Sequence, residues 1–396
     1  MRVLDDLSLS TFSAGFVAVL VGFTSSVAIV FQAALAFGAT PAQVSSWMWA
    51  LGVGMGLCSL LPSWWLRKPV MVAWSTPGAA VLATAGVVGG FNMADAVGAF
   101  IACAALIILF GVTGWFERIM NRIPMAIASA LLAGVLARFG LQAFMAAQTA
   151  LPLVLLMLGS YLLARRLWPR YAVVLTLLAG MLLVTWQGQL SLSAIRMELA
   201  VPVFTMPQFS WSALVSLAIP LFVVTMASQN LPGVAAIKSA GYGGANGIPI
   251  SRVITLTGVG TLLLAPFGAF ALNLSAITAA ICMGREAHEN PRKRYTAAMA
   301  CGAIYVVIGV FGATFTAVLT AFPNELVAAI AGLALLGTIG NALAVALQDE
   351  SHREAAAITF LVTLSGVAIA GIGSAFWGVV AGGIAIAVQQ YGRRNF

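Results

Sequence analysis

Apolar residues run along this chain in long stretches separated by short polar breaks, spaced as a lipid bilayer would require. A helix needs about 20 apolar residues to cross the hydrocarbon core. Fourteen stretches meet or approach that length, at about residues 12–36, 43–61, 70–88, 95–116, 124–138, 150–165, 171–187, 211–237, 248–265, 268–284, 294–320, 324–346, 354–371 and 374–391. None shows the period-two alternation of a membrane β-barrel. The pattern predicts an all-α polytopic membrane protein with 14 transmembrane segments. The longest polar connection, 188–210, lies between the seventh and eighth segments, and its stretch 191–199 could form a short surface helix. The chain therefore divides into seven plus seven. Because seven is odd, a second half that repeats the first enters from the opposite face, as in many secondary transporters. Gly52-Val53-Gly54 and Gly258-Val259-Gly260 echo each other at corresponding places.

The third segment breaks the pattern in its middle, at Ala73-Trp74-Ser75-Thr76-Pro77-Gly78-Ala79. Pro77 removes a donor and biases Thr76 away from helical geometry, yet suits the first position of a new helix. An extended piece from Pro69 to Ser75 is expected, then a half-helix from Pro77 to about Val88, capped by Ser75 or Thr76. The second half has a counterpart from Ala265 to Thr278. It opens on Pro266 and Gly268, runs extended through Asn273-Leu274-Ser275, and precedes a helix of about ten residues ending near Cys282. Interrupted segments at corresponding positions of two halves point to a transporter's binding site.

Composition agrees with the pattern. The chain is 61% hydrophobic and 8% charged, with mean hydropathy +1.03, far from a soluble chain's roughly 25% charged residues. The net charge of +8 is scattered over short loops, which argues against nucleic acid as a partner. With the N-terminus inside, every Lys and Arg except Arg138 and Arg196 falls at a cytoplasmic end. Both termini are then cytoplasmic. Met1 to Ser10 carries two acids with no short apolar core behind it, so no cleaved signal is expected. The four cysteines lie in apolar runs and read as small buried side chains. Trp47, Trp49, Trp64, Trp65 and Trp115 read as interface anchors.

Two half-helices entering from opposite faces would bring their N-termini together near the midplane. Each offers unpaired amides and a partial positive charge, which suits a small anion such as a carboxylate. Candidate substrate-binding residues are Ser75, Thr76 and Gly78 on one side and Asn273 and Ser275 on the other. Segment 8 adds Gln229 and Asn230 from Ala227-Ser228-Gln229-Asn230-Leu231-Pro232-Gly233, and segment 1 adds Thr24 and Ser25. Gln229 and Asn230 either line the site or join helices and satisfy backbone freed by Pro232. Trp74, Phe267 and Phe270 either give an aromatic ring a face to stack on or simply pack. All eleven acids lie in loops or at segment ends. Proton coupling thus rests on Glu325 or His288, each of which reads either as a relay or as a solvated end residue, or on a weak-acid substrate that brings its own proton. An intramembrane enzyme is excluded: both histidines lie in loops, and no HExxH or GxSxG occurs. No catalytic residue, cofactor or metal is expected.

The stretches VAWSTPGAAVLATAG at 72–86, ASQNLPGVAAIKSAGY at 227–242, APFGAFALNLSAITAAICMG at 265–284 and NPRKRY at 290–295 resemble the benzoate:proton symporter (BenE) family, over essentially the whole chain. That resemblance implies the uracil-transporter fold, with short strands in segments 3 and 10. It implies a core domain at 1–122 and 211–322, a gate domain at 123–188 and 323–396, and a periplasmic connection at 189–210. It further implies proton-coupled import of benzoate or a related small aromatic carboxylate by alternating access. A carrier or exchanger of another small anion is the alternative. Nucleobase carriers of that fold use glutamates in segments 8 and 10. The matching places here, near Gln229 and Leu272-Asn273, are not acidic, which fits an anionic substrate. The partners are the bilayer, the anion and protons, with a homodimer left open.

Overall fold

A computed structural model describes residues 5–24, 26–120, 124–189, 199–312, 314, 322–367, 369 and 374–390. In chain order the first half gives α1 (Leu9–Thr24), α2 (Val27–Ala36), α3 (Pro41–Leu66), β1 (Val72–Trp74), α4 (Thr76–Gly89), α5 (Met93–Thr113), α6 (Trp115–Met120), α7 (Met125–Met145), α8 (Ala147–Leu167) and α9 (Ala172–Trp186). The second half gives α10 (Trp211–Ser239), α11 (Ile250–Leu264), β2 (Leu272–Leu274), α12 (Ile277–Met283), α13 (Tyr295–Val310), α14 (Asn324–Gln348), α15 (Arg353–Ser365) and α16 (Ser374–Gln390). Among the described residues, seven helical runs are long and apolar enough to cross a membrane: α3, α5, α7, α8, α10, α11 with the turn after it, and α14. The first apolar stretch is not one helix: α1 ends at Thr24 and α2 begins after Ser26, whose hydroxyl bonds back to the Gly22 carbonyl.

Segments 3 and 10 break as their Pro and Gly residues predict. β1 passes into α4 and β2 into α12. The second half-helix is shorter than expected, seven residues: it ends at Met283, next to the expected Cys282, but starts only at Ile277, because pairing of the Ser275 amide with the Met71 carbonyl keeps the chain extended to that point. The two strands pair antiparallel in the register Val72↔Leu274, Ala73↔Asn273, Trp74↔Leu272. A two-stranded ladder leaves each strand with an unpaired outer edge. In hydrocarbon each unmet amide costs several kcal/mol.

Neighbouring side chains close both edges. On α3, Met55, Ser59 and Ser63 stand four residues apart on one helical face. They accept the amides of Trp74, Val72 and Val70 at 3.1, 3.0 and 2.9 Å. Four helical residues rise about 6 Å and two strand residues about 6.6 Å, so helix and strand stay in step. On the other edge Thr261 of α11 accepts the Leu272 amide at 3.0 Å, and Asn230 of α10 accepts that of Leu274 at 2.9 Å.

Helices close over this cage through small residues. A Cβ on Gly52 would lie 2.6 Å from the Gly309 Cα, and one on Gly56 would lie 2.6 Å from the Gly302 carbonyl, so α3 and α13 meet backbone to backbone. Gly268 has φ +104, and the Trp47 ring occupies the place a Cβ would take. Trp47 is therefore not an interface anchor. It is 2% exposed and packs on Phe100 and Phe270. Trp64, Trp65 and Trp115 are exposed, as anchors should be.

At one end of the bundle, buried Asp6 ties three elements together. It accepts from the Tyr295 hydroxyl at 2.8 Å, and it pairs with Lys293 at 3.2 Å and Arg67 at 3.4 Å. The Tyr295 hydrogen bond, aided by these cations, holds its carboxyl below the ordinary value. A lowered folded pKa adds stability above the unfolded value and loses it as pH falls through the folded one. The melting-temperature gap between wild type and Asp6→Asn in detergent should therefore be widest at neutral pH and close on acidification; a gap that widens on acidification would contradict the assignment. A second expectation concerns the strand edge. Ser59→Val leaves the Val72 amide buried without its acceptor and should cost about 1–3 kcal/mol, read as a lowered melting temperature in the same assay.

Candidate functional site

The site is built around the start of α4. Ser75 is fully buried in extended geometry, and its hydroxyl oxygen accepts the Gly78 amide at 3.1 Å. Pro77 carries no amide, so among the first three helical positions Thr76 alone keeps one outside the cap. Thr225 of α10 donates its hydroxyl to Ser75 Oγ at 2.9 Å. Trp74 donates its indole N–H to Ser26 Oγ at 2.9 Å and tilts against Phe23, with ring centres 5.2 Å apart. Gly78 has no room for a side chain: a Cβ would sit 2.6 Å from a Leu221 methyl.

The second half contributes differently. Ser275 donates its amide to the Met71 carbonyl at 3.0 Å, and its hydroxyl oxygen accepts from the Thr278 hydroxyl at 2.7 Å. Ser275 thus lies opposite Met71, four register steps from Ser75, about 13 Å along the ladder. The two helix N-termini flank the strand pair at opposite ends instead of meeting head to head, and the intervening face belongs to Ala73 and Asn273. These cross-strand partners share one face of the sheet. Ala73 is half-buried. Asn273 is fully buried; its amide donates to the Ala271 carbonyl at 3.0 Å, while its Oδ1 has no partner among the described residues. Ala271 itself holds φ +34, a conformation that costs a non-glycine residue energy beside the site.

α10 supplies a third wall through a π turn at Met226–Asn230, a distortion common at functional sites. Of the two readings offered for Asn230, the geometry supports the structural one: it accepts the β2 amide and donates to Met226 Sδ at 3.1 Å. Gln229 is half-buried on the same turn, and the enclosed Ser228 hydroxyl has no partner among the described residues.

Ser75, Gly78, Trp74, Asn230, Asn273 and Ser275 thus converge on the strand pair, with Thr76 at the start of α4. Ser25 and the Thr24 side chain lie outside the described residues. Phe270 is buried behind the sheet against Trp47 and Phe100, and Phe267 packs on Trp49 and Phe204. His288 lies in the loop before α13, where Nδ1 accepts the Asn290 amide at 2.9 Å. Glu325 opens α14 and accepts the Thr149 hydroxyl at 3.2 Å. Neither belongs to this cluster. Sequence reasoning missed Thr225, Ser228 and every edge acceptor except Asn230; the four-residue spacing of Met55, Ser59 and Ser63 was the available signal.

Comparison with known proteins decides the family. The model for the benzoate membrane transport protein family, BenE, matches residues 5–388. The chain belongs to the BenE family. Similarity to BenE members spans the chain. It is 46% identical over 378 residues to "Inner membrane protein YdcO" of Escherichia coli (strain K12), covering 96% of this chain and 95% of that one. It is 38% identical over 381 residues to "Benzoate membrane transport protein" of Acinetobacter baylyi (strain ATCC 33305 / BD413 / ADP1), with the same coverage. Among solved structures, the transmembrane domain of a cyanobacterium bicarbonate transporter, BicA, matches at TM-score 0.49 and 14% identity, over 99% of this chain and 98% of that one. As a BenE protein the chain is a multi-pass inner-membrane transporter and not an enzyme.

Proposed function

We propose that this chain imports benzoate or a closely related small aromatic carboxylate together with a proton, by alternating access across fourteen spans arranged as two inverted halves. Both termini lie in the cytoplasm in this reading. The carrying observation is a polar cluster, here the niche, in which the start of α4 and the π turn of α10 adjoin the strand pair, and Asn273 Oδ1 and Ser228 Oγ lie buried without a partner among the described residues. It joins a helix N-terminus, a hydroxyl and an unpartnered acceptor, and no carboxylate in the chain occupies a mid-segment position from which to repel an anion.

These groups fit both protonation states of the cargo. The start of α4 favours a carboxylate through its amide and dipole. Asn273 Oδ1 is an acceptor, so a donor must satisfy it. The O–H of a protonated carboxyl is such a donor, and its carbonyl oxygen can accept from the Ser228 hydroxyl. The proton then travels on the substrate, which removes the need for Glu325 or His288 as a relay. The relative named for benzoate supports this choice of cargo.

Two bodies suit alternating access. α3, α10 and α11 pack on the strand pair, with α13 on α3, α5 on α11 and α1 on α13 and α12, whereas α7, α8, α9, α14, α15 and α16 pack mainly on one another. We assign the first set to a moving core and the second to a gate, with 189–210 as the periplasmic connection between the halves.

Proteoliposomes test the transport. An inward proton gradient should stimulate uptake of labelled benzoate, and because acid and proton cross as a neutral pair, an imposed potential should leave the rate unchanged. No gradient-stimulated uptake across a panel of aromatic acids sinks the symport, and uptake that needs only a counter-anion inside would make the chain an exchanger. The anion site has its own test. Asp and Asn both cap helices as Ser does, so Ser75→Asp and Ser75→Asn should fold alike. Ser75→Asp should weaken benzoate binding at least about tenfold, given like-charge repulsion of about 4 kcal/mol at 4 Å in a partly shielded site, while Ser75→Asn binds within a few-fold of wild type. Equal affinity in the two variants would move the site elsewhere.

A further inference from the structure

The stretch Asn290-Pro291-Arg292-Lys293-Arg294-Tyr295 carries family resemblance but plays no part in the niche. Lys293 and Tyr295 hold Asp6. Arg294 turns the other way and lines a cavity of about 330 Å³ between α10, α12, α7 and α14. That volume is many times what one water molecule requires. Leu132, Ala236 and Met283 make one wall apolar, whereas Arg285, Arg294 and Asn341 make the other polar; no carboxylate lines the cavity.

Arg294 is only 7% exposed. Its guanidinium donates to the carbonyls of His288 at 2.7 Å, Met283 at 2.8 Å and Glu289 at 3.4 Å. These bonds take three of its five N–H donors but carry no formal charge to oppose it, and among the described residues no carboxylate stands within ion-pair distance. A buried cation without a counter-charge is costly. Arg285 is exposed at the mouth and adds a second positive charge. Its neighbour Glu286 is not among the lining residues and pairs with Arg165 at 3.0 Å.

We propose that this cavity is a second anion site, separate from the niche at Ser75, which takes a small aromatic carboxylate on the face that the charge distribution places in the cytoplasm. The carboxylate lies against Arg294 and Arg285, and the ring lies against Leu132 and Met283. In the transport cycle the cavity is the station at which cargo leaves the moving strand cage for the cell interior. This inference rests on the transporter reading for its role but not for its binding chemistry.

Labelling tests it without transport. All four native cysteines are buried, so Asn341→Cys provides the reactive thiol for a neutral maleimide in lipid discs. Discs of zwitterionic lipid exclude anionic headgroups as a rival ligand. Benzoate should slow labelling, and benzamide, the uncharged analogue, should not. Arg285→Ala should raise the protecting concentration about threefold, as expected for an exposed charge pair, and Arg294→Gln should raise it further. Protection should persist when Ser75→Asp has disabled the niche. Absence of protection by benzoate overturns the proposal, as does equal protection by benzamide. Protection abolished by Ser75→Asp but indifferent to Arg285→Ala overturns it as well, since the thiol would then be reporting the niche. If uptake fails while protection persists, the import reading falls and this site stands.

Discussion

Hydrocarbon offers no hydrogen bonds, and that constraint governs this protein. A membrane helix satisfies its own backbone, whereas a strand cannot. The chain nevertheless places two strands at the centre of a helical bundle. It can do so because β1 and β2 satisfy each other along one edge and side chains satisfy the other: Met55, Ser59 and Ser63 on one side, Thr261 and Asn230 on the other. The half-helices and the niche beside the strand pair follow from that arrangement. Without the edge acceptors, the cheaper structure would be a continuous helix with no site.

Much of this was legible in the sequence, for local reasons. Pro77 and the Ser75-Thr76 pair marked a helix start, and Pro266 with Gly268 marked its counterpart, because both signals act through backbone geometry within a few residues. Ser75 caps α4 as its position suggested. What stayed hidden depends on contacts between distant parts of the chain. Thr225 reaches Ser75 across 150 positions, and Asn230 reaches Leu274 across 44. No periodicity encodes such pairings.

The aromatic residues show a second limit. Trp47 sits near a predicted segment end and so resembled an anchor, but Gly268 leaves a gap that its ring fills. Phe270 follows the second break yet is buried behind the sheet, against Trp47 and Phe100. Alternation along an extended segment sends neighbours to opposite faces, and sequence alone did not reveal which face was open. The start of the second half-helix was also misjudged, since the bond from the Ser275 amide to the Met71 carbonyl, a contact across the sheet, keeps the chain extended to Ser275.

The matched pitch of α3 and β1 has a mechanical consequence. Three rungs join them at equal intervals, like teeth on a rack. Ser59 and Ser63 also donate their hydroxyls to the Val72 and Val70 carbonyls, so sliding the strand by one residue would break paired bonds at two rungs and the Trp74 bond at the third, with several kcal/mol at stake for each group left orphaned. The strand pair therefore has no soft mode of its own. Cargo bound beside it moves only when the whole toothed frame moves, so the compliance that transport requires must lie in the seams between helices.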